Sequence, residues 1–393
     1  VADRGAALRG PTIKGPAGIP TIVTSYSDFQ NKFGDVHTSG STSFQFLTSH
    51  AAQSYLQHSD TLTIVRILDG SFSGASVAIT SSNFASGTPA ASGNNVTQSF
   101  TLTTLGDGSI TNNASATSGT NNILVSGSKH NIRYEISNVN STKGTFTLAI
   151  RAGNDSLKRK QNLETFTNIT LDPNSNNYIG KAIGTQFNTI ATDENGAPFI
   201  KLEGDYPRKS KFVRVSAIAD QTDYLDENGS VRIATSETGS LPAAGSGSSN
   251  IDYLDENGNI RVNSLSSSLP IVGSGSSNGG FSGGADGFSG FDALGNQGGT
   301  NVSASNFYEN ITELNSQGFN PTVAASGQNA YVQALNILAN QDDYDINLIL
   351  TPGIISSVHG VVATKVIDVC EDRQDCFAIV DPVVYDSNVA DAT

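Results

Sequence analysis

The chain has 393 residues, 37% of them hydrophobic and 15% charged, with 40 glycines and a formal net charge of −14. That length holds two or three domains with sizeable cores, and the acidic balance excludes a general nucleic-acid binder, which needs a basic footprint. No apolar run approaches the roughly 20 residues of a membrane helix, and no signal-like segment opens the chain.

Methionine is absent altogether and the first residue is Val1, so a processed or truncated chain is expected. Long Ser/Thr/Asn/Gly-rich stretches suit β-rich extracellular or virion proteins, in which short strands alternate with turns.

Residues 1 to 70 read as α/β. "PTIVTS" (20–25) is a strand candidate. "SYSDFQNKFG" predicts a helix with Ser27 as N-cap, Gln30 closing a capping box and Gly34 as the stop. "FQFLTSHAAQSYLQH" (44–58) places Phe44, Leu47, Ala51, Ala52, Tyr55 and Leu56 on a helical stripe, and "TLTIVRIL" (61–68) is a buried strand. From 71 to 172 the pattern changes to short alternating strands between Gly/Ser/Asn turns, such as "IRYEISNV" and "GTFTLAIRA". This is an all-β module inserted after a complete strand.

"LDPNSNNYIGKAIGTQFN" (171–188) predicts a turn and a short helix, followed by strands "PFIKLEG" and "SKFVRVSAI". An internal repeat follows, "DYLDENGSVRIATSETGSLPAAGSGSSN" and "DYLDENGNIRVNSLSSSLPIVGSGSSN", with a shorter copy "TDENGAPFI" at 192–200. An EF-type calcium loop needs oxygens at alternate positions and a closing Glu, which "DENG" lacks. Asn-Gly between β-branched runs predicts a two-residue hairpin instead. The Gly/Ser-rich run at 273–299 reads as a flexible tether.

Past 305, "NFYENITELNSQ" (306–317) and "NAYVQALNILAN" (329–340) predict helices, the second burying Tyr331, Ala334, Leu335 and Leu338. "YDINLILTPGI" (344–354) reads as a strand ending in a Pro-Gly turn, "SSVHGVVATKVIDVCEDR" (356–373) as a helix and "CFAIVDP" as a core strand. This alternation is the grammar of a parallel sheet.

Chemistry-bearing motifs are missing: no P-loop, no dinucleotide fingerprint, no H-E-x-x-H and no G-x-S-x-G. The two cysteines, Cys370 and Cys376, have no zinc spacing, and the five histidines are scattered. Reduced structural thiols are the expectation, ahead of a disulfide, and no catalytic, cofactor or metal site is expected.

Charge is asymmetric. Ten of the 22 basic residues lie between 151 and 215, whereas 368–393 holds seven acids and one base. Lys158, Arg159, Lys160, Arg208, Lys209 and Lys211 on one side, and Glu371, Asp372 and Asp375 on the other, are candidates for charge contacts between subunits. A solvated face is the plainer alternative.

Three landmarks occur in order. "GPTIKGPAGIPTIVTSYSDFQNKFG" (10–34), "YDINLILTPGI" and "CEDRQDCFAIVDP" resemble motifs of contractile-tail sheath proteins, and "NYIGKAIG" resembles the sheaths of T4-like myoviruses. The resemblance implies an α+β multidomain chain, an α/β sheath core with an inserted all-β protrusion domain and hairpin and Gly/Ser-rich loop insertions. Residues 1–70 with 173–304 would form a middle domain, 71–172 the protrusion, and 305–393 the first part of the core domain. It also implies a non-enzymatic subunit that forms stacked six-fold rings with itself around a tail tube protein, meets baseplate and tail terminator proteins, and binds neither nucleic acid nor membrane. Such a subunit belongs to the phage virion and assembles in the host cytoplasm. A β-rich surface adhesin or S-layer-like protein is the rival expectation on composition.

Overall fold

A computed structural model describes residues 5–39, 42–80, 98–113, 116–140, 144–171, 175–194, 196–218, 269–275, 280–287, 290–291, 297–298, 310–324, 327–388 and 390. In chain order the first elements are β1 (Gly5–Gly10), β2 (Thr21–Val23), α1 (Tyr26–Phe33), β3 (His37–Ser39), β4 (Thr42–Phe44), α2 (Leu47–Tyr55) and β5 (Leu62–Arg66). Next come β6 (Phe72–Thr80), β7 (Gln98–Asp107), β8 (Thr117–Ser118), β9 (Ile123–Leu124), β10 (Ile132–Asn140), β11 (Thr145–Ala152) and β12 (Asn162–Thr170). The helix α3 (Ile179–Ile183), then β13 (Phe187–Thr192), β14 (Pro198–Glu203), β15 (Val213–Ile218), β16 (Ala285–Asp286), β17 (Gly290–Phe291) and β18 (Gln297–Gly298) follow. The last are α4 (Gln328–Leu338), β19 (Ile346–Ile355), α5 (Gly360–Arg373) and β20 (Phe377–Asp381).

The architecture is mixed α+β, with several sheets. Its α/β part is a five-stranded sheet in the order β2-β5-β1-β19-β20. β2 runs antiparallel to β5, and the other pairings are parallel. β1, "GAALRG", is buried along its length, as a central strand covered on both faces must be. Alternation sends Ala6 and Leu8 toward Phe29, Phe33 and Ala52 of α1 and α2, and Ala7 toward Tyr331, Leu335, Val362 and Val366 of α4 and α5. The sequence pattern of strands separated by amphipathic helices thus becomes a three-layer unit.

α1 starts two residues before the sequence signal. Ser25, in extended backbone, caps it by accepting from Asp28 N at 3.1 Å, and Gly34 ends it at φ 76°. Ser25 takes the cap because Asp28 reaches back to Thr24 N, and starting there lets Tyr26 stack on Phe29. The helix expected over 44–58 is shorter. Phe44 belongs to β4, and the helical stretch begins at Leu47.

Two further sheets, β15-β7-β6-β16 and β10-β11-β12, share a second core. Ile79, Phe100, Leu102, Val213 and Val215 pack there with Ile136, Phe146, Leu148, Ile150 and Ile169, and Phe100 stacks on Phe146 at 5.6 Å. Ile179 and Ile183 of α3, together with Leu269 and Phe281, complete the cluster. The stretch read as a tether is therefore docked where it is described. Asn113 exchanges hydrogen bonds with Phe281 (2.6 and 2.8 Å), and Asn112 does so with Gly284 (2.7 and 2.9 Å).

Other expectations change in detail. Residues 310–319 form bridged turns rather than a helix, because Gln317 and Gly318 adopt positive φ and the Asn315 side chain accepts from Gly318 N. β19 runs through Pro352-Gly353 instead of stopping there, with Gly353 at φ 90° and a register shift before Ile355. Gly supplies the positive φ that lets a bulged strand continue. At 187–203 the expected hairpin is present, closed by Asp193 N donating to Ala197 O with Gly196 at φ 85°. Its loop is three residues rather than two, the bulged alternative for a glycine in this position. Most of the long repeat, 219–268, lies outside the described residues.

The two cores are joined by polar groups. Arg66, at the end of β5 and fully buried, donates to Thr12 O (3.2 Å), Gly15 O (2.7 Å) and Asp107 O (2.7 Å). Asp107 Oδ2 in turn accepts from Ala17 N at 2.9 Å, and Asp286 accepts from Ser109.

Candidate interaction surface

β20 lies at the edge of the five-stranded sheet, paired with β19 on one side only among the described residues. Ala378 and Val380 pack into the α4/α5 core, which leaves Phe377 and Ile379 on the other face. There they continue the row begun by their partners Leu348 and Leu350, but they are 76% and 50% exposed. Tyr385, just beyond, is 82% exposed. The expectation of a core strand is corrected accordingly. Only one face of β20 packs on the core, and that face is half-buried; on the other, α1 and α2 cover Leu348 and Leu350 and not their neighbours. An apolar edge with free backbone groups is a template for pairing with another strand.

The acidic segment flanks this edge. Glu371 and Asp372 are exposed in the last turn of α5. Carboxylates there oppose the helix macrodipole. Arg373 turns inward, donating to Leu338 O (2.7 Å) and Tyr344 O (2.8 Å), and forms a forked pair with Asp375 at 2.9 Å on both arms. Asp375 is thus bound within the chain, whereas Glu371 and Asp372 project outward. Cys370 and Cys376 are free thiols with sulfurs 3.4 Å apart. Burial, reinforced by Cys376, pushes the Cys370 thiol up to about 12 against the opposing pull of Arg9 and Arg373.

The basic residues sit on the β-rich core. Lys158, Arg159 and Lys160 occupy the exposed connection between β11 and β12, held by Lys158 N on Asn121 Oδ1 and by Lys160 Nζ on Glu135 Oε1 at 2.6 Å. Arg208, Lys209 and Lys211 are exposed before β15. Glu164 of β12 fastens that segment, accepting from Ser210 Oγ (2.6 Å) and Lys211 N (2.9 Å). Both basic segments therefore adjoin β12 of the β-rich core, while the acids belong to the other core. Within one subunit, they do not meet in any described ion pair.

The exposed Phe377 and Ile379 escaped the sequence reading because a short apolar run looks alike in a central or an edge strand. The inward turn of Arg373 had a signal in the aspartate two residues on. No cluster of three His, Cys, Asp or Glu side chains able to hold a metal occurs among the described residues, and no described helix is long and apolar enough to cross a membrane.

No family model matches the sequence, and no curated protein matches it. Among solved structures, the chain is similar to a sheath tail protein from Desulfitobacterium hafniense at 11% identity and a TM-score of 0.34, covering 96% of this chain and 48% of that one. It is also similar to a sheath tail protein from Listeria innocua at 10% identity and a TM-score of 0.24, covering 56% of this chain and 34% of the other. The chain thus spans about half the length of the first and a third of the second.

Proposed function

We propose that the chain is a structural, non-enzymatic subunit of a phage contractile tail sheath. The observation that carries this reading is spatial. The three sequence landmarks lie more than 300 residues apart at their extremes, yet they supply β2, β19 and β20 of one sheet. Motifs that meet in one sheet act as one structural unit, which chance matches scattered over a chain have no reason to do.

The open edge of β20 supports the assembly half of the reading. A neighbour's extended arm added there gains main-chain hydrogen bonds, and Phe377 and Ile379 gain cover. A head-to-tail contact of this kind does not close on itself and generates a helical tube. Exposed Lys158, Arg159, Arg208, Lys209 and Lys211 on one core, and Glu371 and Asp372 on the other, are placed to set register between neighbouring subunits. Contraction then needs only two packings that differ by a few kcal/mol per subunit, as bistable interfaces do. The β-rich core is the outward protrusion in this reading, and the tail tube, baseplate and terminator are the partners of the assembled virion.

Electron microscopy of the purified protein at rising concentration, without ligand, tests the proposal. Stacked six-fold rings or tubes are expected. Monomers that persist at every concentration and salt, and in the presence of a tail tube, overturn it.

A further inference from the structure

Where α5 ends and β20 begins, two thiols face each other under two arginines. Cys370 occupies the last turn of α5 and is half-buried; Cys376 precedes β20 and is buried. Gln374 takes left-handed backbone (φ 58°) between them, which folds the chain back and brings the sulfurs to 3.4 Å, with Cys376 donating to Cys370. Bond formation requires closing that distance to about 2 Å.

Arg9 supplies a second, independent observation. It is fully buried, and none of its three guanidinium nitrogens has a hydrogen-bond partner among the described residues. A buried cation without an acceptor is costly. The groups whose charge would offset it are Cys370, Tyr331 and Cys376. Arg373 also favours ionised Cys370.

We propose that Cys370 and Cys376 form a reversible redox pair whose oxidation ties the end of α5 to the edge strand β20. The oxidant is a small-molecule disulfide. Cys370, the more accessible sulfur, loses its proton to water and attacks the oxidant, expelling one small thiolate and forming a mixed disulfide. Cys376 then loses its proton and attacks the Cys370 sulfur, expelling the second small thiolate. Two protein thiols are oxidised and one small disulfide is reduced to two thiols. Arg9 and Arg373 stabilise the Cys370 thiolate that starts the exchange, while its burial makes the start slow.

The reaction is followed on the folded full chain with glutathione disulfide, trapping free thiols by alkylation and weighing the protein. Both thiols are expected to disappear together, with the loss of two hydrogens and no retained glutathione, and dithiothreitol restores them. The equilibrium constant is expected to be about tenfold or more above that of the urea-unfolded chain, since the fold enforces proximity. Hydrogen exchange of the β20 amides is expected to slow on oxidation. The Cys376→Ser variant is expected to hold glutathione on Cys370. A lasting glutathione adduct in the unaltered chain, thiols that remain free under excess oxidant, a bond between two chains, or an equilibrium no better than in urea overturns the proposal. The measurement concerns single chains, so its outcome is separate from whether the protein forms tubes.

Discussion

His130 is held neutral where the unfolded chain would protonate. It lies buried against Val36, its Nε2 3.2 Å from the Val36 carbonyl. Burial, followed by the charges of Lys14, Lys129 and His37, pushes it down to about 3. An unfolded histidine titrates near 6.5. Between these values the unfolded chain binds a proton that the folded chain refuses, so His130 contributes stability fully above pH 6.5 and loses it progressively as pH falls toward 3. The effect is of the order of a few kcal/mol at the acid end. His130→Gln is expected to flatten the dependence of Tm on pH between about 6.5 and 4, read by thermal melts across a buffer series. Asp155 gives a second test at the same scale. It is buried and accepts from Arg151 Nε (2.7 Å) and Nη2 (2.9 Å), Arg133 Nη1 (3.4 Å) and Gln161 N (3.1 Å). Asp155→Ala removes the carboxylate shared by two buried guanidinium groups, of which Arg151 keeps Glu135, and is expected to cost about 3–5 kcal/mol in denaturant unfolding. Neither group stood out in the sequence. The aspartate sits in an ordinary "GNDS" turn and the histidine among scattered polar residues, because burial by distant strands is what gives each its role.

At the scale of elements, β20 yields the test that separates interface from core. Phe377 is 76% exposed, so Phe377→Glu removes little native packing, and the melting temperature is expected to shift by no more than the change of about ±0.5 kcal/mol typical of surface sites. If the edge receives a neighbour's strand, the same substitution places a charge in an apolar contact and raises the concentration needed for assembly at least tenfold in sedimentation. Unaltered assembly would remove β20 from the interface. The elements themselves were largely legible, because α4, α5, β5 and β19 carry long periodic or unbroken apolar runs that few alternatives satisfy. What was not legible depended on backbone geometry. The segment at 306–317 has helical composition, yet the described part from 310 follows Gln317 and Gly318 into positive φ. Pro352-Gly353 has turn composition, yet Gly353 serves as a bulge while Ser316 and Gln317 donate to the carbonyls of Gly353 and Pro352. In both places a contact between distant segments overrides the local preference.

For the whole molecule, the question is how two separate hydrophobic cores behave as one body. Among the described residues no large apolar cluster spans them; the α/β core and the β-rich core are distinct sets of residues. Arg66 joins them instead, because its guanidinium serves carbonyls of the 12–15 loop and of β7 at once. Burial lowers its affinity for the proton and raises that of Asp107, while each charge, with Asp286, offsets the other's desolvation. Returning strands such as β15 and the segment around Phe281 complete the β-rich core through pairings of long sequence separation, which leave no local trace in the sequence. Arg66→Met keeps comparable volume and removes every donor. It removes a donor from the carbonyls of Thr12, Gly15 and Asp107, of which Gly15 O keeps Asp107 N, and deprives Asp107 and Asp286 of their cation, with an expected cost of about 3–5 kcal/mol. Because that cost falls on the joint rather than on either core, calorimetry is expected to resolve two unfolding transitions in the variant where the unaltered chain shows one. The lower transition should belong to the core with fewer remaining long-range pairings, identifiable by limited proteolysis at the intervening temperature. A single transition displaced downward would mean that the cores communicate through their other contacts, and that Arg66 contributes stability without coupling them.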